Sequence, residues 1–258
     1  MKTALITLSA AGAAILRKLA ACLPDANCYI HKDVTVDYEA VRFVSIIDLT
    51  ADIFDRDEGL IYVAPCGIVV RAIGLLITNK FTDPAVVVID TGGRFSISLL
   101  SGHEGGANEL ALKVGNLLGA EPVITTTREA LKFLIIGVGC RRGISAGVIV
   151  EAIREALSSS GARIDEVRYI ASVDIKADEE GLQEASHILG IPLRLISSEE
   201  IRETRRVFHH SEFAQRKVNL PAVAEPAALL AGKRTKLIMR RMIWKGVTVA
   251  IAKESFTS

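Results

Sequence analysis

The residues best placed to do chemistry lie in one block, Leu99-Leu100-Ser101-Gly102-His103-Glu104-Gly105-Gly106-Ala107-Asn108. Glycines at 102, 105 and 106 let backbone approach a ligand closely, and a following helix would offer unpaired amide hydrogens and the positive end of its dipole. Histidine is the side-chain type suited to proton exchange near neutral pH, and His103 brings one into the block. The combination suits acid–base work on an anionic substrate. A tight strand-to-helix turn with His103 bonded to backbone accounts for the same residues without chemistry. Neighbouring loops add Arg71, Lys80, Asp83, Asp90 and the run Thr125-Thr126-Thr127. Loops at the carboxyl ends of successive parallel strands converge on one crevice, so these side chains are expected to share a pocket.

A second block, Gly137-Val138-Gly139-Cys140-Arg141-Arg142-Gly143, reads as a strand, a glycine turn and a helix start. Arg141 and Arg142 at a helix amino terminus would clamp a carboxylate or phosphate through bidentate donors and the helix dipole. Solvated loop cations are the plain alternative. The gap from Gly139 to Gly143 is one residue too long for a G-x-G-x-x-G fingerprint, and the next strand ends at Asp174, too far on to supply the acid expected after ~20 residues. Nicotinamide binding is disfavoured. Lys176, in Asp174-Ile175-Lys176-Ala177-Asp178-Glu179, could enter the same crevice, with Asp178 capping the next helix.

Short apolar runs and glycine or proline punctuation set out the elements that must carry these residues. Strands are expected over 3–9, 59–63, 85–90, 94–99, 122–127, 134–139, 168–173, 192–196 and 246–252. Helices are expected over 10–22, 68–76, from Gly106 to Leu118, 145–157 with Ser145 as cap, 179–189 and 222–231. The pattern restarts near Leu131, so two domains are expected, 1–130 and 131–258. The fold class expected is α/β, two domains with mostly parallel sheets flanked by helices. Composition agrees: 50% of the 258 residues are hydrophobic and only 5% aromatic, so the core is aliphatic.

No apolar run reaches the ~20 residues of a membrane span, and the amino terminus lacks a cleavage-type segment, so a cytoplasmic protein is expected. The four cysteines, Cys22, Cys28, Cys66 and Cys140, are scattered without a Cys-x-x-Cys pair, against a disulfide framework or structural zinc. Net charge is +1, yet residues 151–200 hold eleven acids against five bases and residues 202–245 eleven bases against three acids. The basic stretch invites an anionic partner. Its few aromatic residues make no base-stacking platform, which disfavours nucleic acid.

Several segments together resemble the CbiG family of anaerobic cobalamin biosynthesis, the cobalt-precorrin 5A hydrolases. Ala64-Pro65-Cys66-Gly67-Ile68-Val69-Val70-Arg71, then Lys80, Asp83-Pro84-Ala85-Val86 and the Ser101 to Asn108 block are similar to its amino-terminal domain. Gly139-Cys140-Arg141-Arg142-Gly143, Asp174-Ile175-Lys176, Gly181-Leu182, Ala224-Glu225 and Gly246-Val247-Thr248-Val249-Ala250 are similar to its carboxyl-terminal domain. The central segment of many members is missing, since Thr127 is followed within seven residues by the Leu134 strand. The resemblance implies hydrolytic opening of a ring-fused δ-lactone on a cobalt corrinoid, with loss of acetaldehyde. It implies His103 as base, amides around Gly105 and Gly106 at the oxyanion, and Arg71, Lys80, Arg141 and Arg142 on the acetate and propionate arms. Asp83, Ser101, Gly102, Asn108, Thr125, Thr126, Cys140 and Lys176 would complete the binding set, with the macrocycle shared between the two domains. No cofactor and no protein metal site are expected, because the cobalt belongs to the substrate. The partner expected is that corrinoid, with no nucleic acid and no membrane, and a homo-oligomer is allowed. A non-catalytic corrinoid carrier is the alternative.

Overall fold

The computed structural model describes residues 1–255, apart from the side chain of Phe213. The chain forms two compact units, Met1–Thr126 and Thr127–Ser258.

The first unit runs β1 (Thr3–Thr7), α1 (Ala10–Cys22), β2 (Asn27–His31), β3 (Val41–Phe43), α2 (Ile46–Ile53), β4 (Gly59–Val63), α3 (Cys66–Ile73), β5 (Ala85–Ile89), β6 (Phe95–Leu100), α4 (Ala107–Leu118) and β7 (Glu121–Val123). Its sheet has the order β3-β2-β1-β4-β5-β6-β7. The strands β1, β4 and β5 are buried at every residue, as strands with both faces covered must be. Side chains alternate between two cores: Leu5, Ile61 and Val87 meet Leu16 and Ala111 on one face, and Ile6, Tyr62 and Val88 meet Ile53 and Val69 on the other. Tyr62 carries its hydroxyl inside by bonding Thr50 Oγ1 at 3.0 Å, and burial pushes its pKa up to about 12. All neighbouring pairs are parallel except β5 with β6. That reversal is made at Asp90, whose Oδ1 accepts Arg94 N at 2.7 Å and Phe95 N at 2.8 Å.

The second unit runs α5 (Thr127–Ala130), β8 (Leu134–Cys140), α6 (Ala146–Ser160), β9 (Val167–Val173), α7 (Glu180–Leu189), β10 (Leu193–Ile196), α8 (Ser198–Glu203), α9 (Glu212–Val218), α10 (Ala224–Leu230), β11 (Thr235–Trp244) and β12 (Val247–Glu254). Its sheet order is β10-β9-β8-β12-β11, parallel as far as β8 and antiparallel beyond it. The first sheet is thus mostly parallel and the second mixed. Leu134, Ile136 and Val138 face the apolar stripe of α6 and α7, including Ile149, Ile153 and Leu182. Ser145 holds the N-cap position of α6 as expected, though its side chain makes no cap bond, and the N-cap of α7 is Glu179, one residue after the expected Asp178, which pairs with Arg142. The basic run 235–244, left without an element by sequence, is the edge strand β11. No helix among the described residues is long and apolar enough to cross a membrane.

Candidate functional site

The reversal of β6 decides where the Ser101 block goes. Leu100 lies opposite Val86, at the amino end of β5, so the turn 101–106 sits at the opposite sheet edge from the carboxyl ends of β1, β4 and β5. Because β7 is parallel to β6, Thr125 and Thr126 leave β7 at that same edge, and Lys80 and Asp83 enter β5 there. The expected convergence on the carboxyl edge is therefore corrected. Asp90 stays behind at that carboxyl edge, and Arg71 folds back along α3, its Nη1 donating to Gly67 O at 2.9 Å.

Within the block the loop satisfies itself. Ser101 takes a left-handed φ of 56°, and its carbonyl accepts Gly105 N and Ala107 N, each at 3.1 Å, while Gly102 O accepts Asn108 N at 2.9 Å. The Gly105 amide is thereby turned inward, which corrects its expected place at an oxyanion and leaves Gly106 as the candidate. Gly105 is needed for a packing reason as well: a Cβ there would lie 2.4 Å from Ser101 Cβ and 3.2 Å from Asp83 O. Asn108 joins the strand ends by accepting Ser98 Oγ at 2.8 Å and donating to Thr126 Oγ1 at 3.0 Å. A Cβ on Gly102 would strike Thr126 Cγ2 at 2.8 Å. Ser101 Oγ is buried with no hydrogen-bond partner among the described residues.

The charges here are partly used. Lys80 Nζ bonds Glu104 Oε1 at 2.7 Å, and that bond holds the Glu104 carboxyl below its ordinary value. Asp83 is buried and accepts from Thr78 N, Asn79 N and Thr78 Oγ1. Burial alone would raise its pKa, but those donors keep it low. Its carboxylate therefore builds the 78–83 loop. His103 and Thr125 are exposed.

In the second unit the loops after β8 and β9 leave the carboxyl ends of two parallel neighbours, the side on which open α/β sheets place their ligand crevices. A groove of about 1060 Å³ opens there, lined by Cys140 at the end of β8 and by Arg141, Arg142 and Lys176 from the loops after β8 and β9. Every lining residue belongs to this unit. Arg142 Nη2 bonds Asp178 at 3.1 Å, and Lys176 Nζ meets the buried Glu179 at 3.1 Å, whose Oε1 also accepts Gly143 N at 2.6 Å. Burial pushes the Cys140 thiol up, with Lys176 opposing, so it is not set up as a thiolate nucleophile. The remaining wall brings His209, Lys217, Glu225 and Arg241, none of which sequence reasoning singled out for the site. The available signal was the consecutive pair Arg240-Arg241 breaking the alternation of a strand. Among the described residues no group of three or more His, Cys, Asp or Glu could hold a metal ion.

The family models described as Cobalamin synthesis G N-terminal and Cobalamin synthesis G C-terminus match residues 48–129 and 134–252. A Salmonella typhimurium protein named cobalt-precorrin-5A hydrolase is 24% identical over 340 residues, covering 96% of this chain and 96% of its own. A Priestia megaterium protein of the same name is 26% identical over 306 residues, covering 81% of this chain and 82% of its own. Protein CobE of Sinorhizobium is 28% identical over 128 residues, covering 49% of this chain and 83% of its own. The Salmonella alignment is longer than the 258 residues of this chain, so that relative carries inserted residues absent here. With the two models spanning 48–252 but for 130–133, the chain belongs to the CbiG family and has a role in cobalamin biosynthesis.

Proposed function

We propose that this protein is a hydrolase that opens the δ-lactone of cobalt-precorrin 5A and releases acetaldehyde, giving cobalt-precorrin 5B. The observation that carries the reading is the cationic groove of the second unit, in a chain whose relatives over nearly full length bear that hydrolase name. At about 1060 Å³ the groove slightly exceeds the usual ligand pockets of ~300–1,000 Å³, as a macrocycle requires. Arg141 and Arg142, with Lys176 beside them, would hold acetate and propionate arms by charge-assisted bonds.

The chemistry needs three services. A base removes a proton from water as its oxygen adds to the lactone carbonyl, donors steady the tetrahedral oxyanion, and the proton passes to the departing ring oxygen. The alcohol so released then loses its proton as the carbon–carbon bond breaks, the electron pair returns to the macrocycle, and the two-carbon unit leaves as acetaldehyde. We assign the base to His103 and an oxyanion donor to the Gly106 amide. Arg71 and Lys80 would assist with substrate carboxylates, Lys80 only after exchanging its Glu104 partner. The protein itself supplies no cofactor, since the cobalt arrives with the substrate, and neither nucleic acid nor membrane plays a role. A cytoplasmic setting and a possible homo-oligomer belong to the same reading.

Anaerobic incubation with cobalt-precorrin 5A, read as acetaldehyde release, tests it. A carrier role is the second reading, favoured by the groove lying wholly within the unit that aligns with Protein CobE. Stoichiometric corrinoid binding without acetaldehyde would select it.

A further inference from the structure

β11 changes register against β12 between Met239, opposite Ile251, and Met242, opposite Val249. Three steps along β11 match two along β12, which is a bulge at Arg240-Arg241. A bulge leaves one residue outside the ladder, and its N–H needs another acceptor. Arg241 N donates to Glu225 Oε1 at 3.0 Å. Glu225, in the first turn of α10, is only 2% exposed. Its Oε2 accepts His209 N at 2.7 Å, and its Oε1 lies 3.3 Å from His209 Nδ1. One buried carboxylate thus joins the segment before α9, α10 and β11.

Holding a charge inside the protein is unfavourable unless it is well hydrogen-bonded, and apolar contacts could join three segments without that cost. What this carboxylate accomplishes is to send neighbouring arginines in different directions. Arg240 Nη1 lies 2.9 Å from His209 Nε2 and lines a smaller cavity of about 490 Å³, whereas Arg241 lines the 1060 Å³ groove. Arg142 and Lys176 have acidic partners at that groove. Among the described residues the side chain of the exposed Arg241 has only a long bond to His210 O, 3.5 Å from Nη1, and Lys217 has no ion pair.

Resting on the corrinoid reading of the groove, we propose that Arg241 and Lys217 form a carboxylate subsite that takes a peripheral carboxylate of a polycarboxylate macrocycle, and that Glu225 is the positioning residue that seats Arg241 through the bulge. The probe is cobyrinic acid, a stable cobalt corrinoid with free carboxylates, titrated against the full chain beside its fully esterified form. Arg241→Ala retains the main-chain N–H and therefore the bulge. It should weaken binding of the acid roughly 10- to 100-fold, the loss of a charge-assisted contact, and leave binding of the ester unchanged. Arg241→Lys should recover some of the loss, and Lys217→Ala should act in the same direction as Arg241→Ala. Glu225→Gln should weaken binding of the acid in the parent chain but add little to Arg241→Ala, because the two effects run through one side chain. An independent structural effect would multiply with Arg241→Ala and lower ester binding too, which would overturn the positioning role. If Glu225→Gln does not fold, the Arg241 variants decide. Unchanged acid affinity in folded Arg241→Ala overturns the subsite and leaves the corrinoid reading standing, whereas a parent chain that binds no cobyrinic acid overturns both.

Discussion

Gly137 in β8 lies where α10 crosses the second sheet, behind the groove wall formed by Val223 and Ala224, and replacing it with alanine should be severely damaging. A Cβ there would stand 1.8 Å from Ala224 O and 2.9 Å from Ala228 Cβ, against ordinary contacts of 3.4 Å and more. The obstruction is a backbone carbonyl, which no rotamer change can clear, so α10 must retreat by about 1.5 Å. Overpacking costs ~1–3 kcal/mol and occasionally more, and a clash with backbone belongs at about 3 kcal/mol. At a few degrees per kcal/mol the unfolding midpoint of this unit should fall by roughly 10 °C. Since α10 carries Glu225, and Val223 and Ala224 line the groove, corrinoid affinity should fall with it. Gly147→Ala is the matched comparison: the residue is exposed in α6 with nothing within 4 Å of an added Cβ, and alanine there should stabilise by ~0.5 kcal/mol. Calorimetry and a cobyrinic acid titration on both variants give the answer. A Gly137→Ala chain that melts and binds like its parent would refute the close crossing of α10 over β8.

Replacing His103 by Ala should keep the fold, since the side chain is exposed, and lower turnover by roughly 10²–10⁴-fold; steady-state acetaldehyde release checks it, and an unchanged rate removes His103 from the chemistry. Arg141→Ala combined with Arg142→Ala should weaken corrinoid binding by ~100-fold or more, measured by titration at low and high salt, with the salt dependence reduced in the variant. Glu225 provides an acid limb of stability. Burial raises its pKa, but the amides of His209 and Arg241 and the His209 ring outweigh that and hold it below 4.5. A depressed folded pKa stabilises above the unfolded value and loses that contribution as pH falls through the folded one, so the gap in melting midpoint between parent and Glu225→Gln should begin to narrow below about pH 4.5 and close only once pH has fallen past the folded pKa.

Strands with both faces covered were legible in the sequence because short β-branched apolar runs bounded by turn residues, as in Ala85–Ile89 and Gly59–Val63, are too short for a helix and too uniformly apolar for a half-exposed strand. β11 was not, because an edge strand carries its charges outward and Lys236, Arg240 and Arg241 read as a basic run. The short, half-exposed β2 and β3 hid for a related reason. The short Gly92-Gly93 link between the runs 85–90 and 94–99 already implies an antiparallel hairpin and so places the Ser101 block at the amino end of β5, a consequence the expectation of one shared carboxyl edge did not draw. The glycines at 102 and 105 were seen as room for a ligand, while contacts with Thr126, Asn108, Ser101 and Asp83 use that room first. Glu225 is the lone polar residue of a short apolar helix, AEPAALL, and nothing local says that its carboxylate is turned inside. Its burial depends on amide donors brought from His209 and Arg241, sixteen residues away on either side.

The most direct measurement is acetaldehyde formed per corrinoid when the intact chain meets cobalt-precorrin 5A without oxygen. We expect one acetaldehyde for each molecule converted, with the corrinoid product gaining a free carboxylate and the rate falling in His103→Ala. Corrinoid bound at stoichiometry with no acetaldehyde, under conditions in which the Salmonella typhimurium relative turns over, would contradict it.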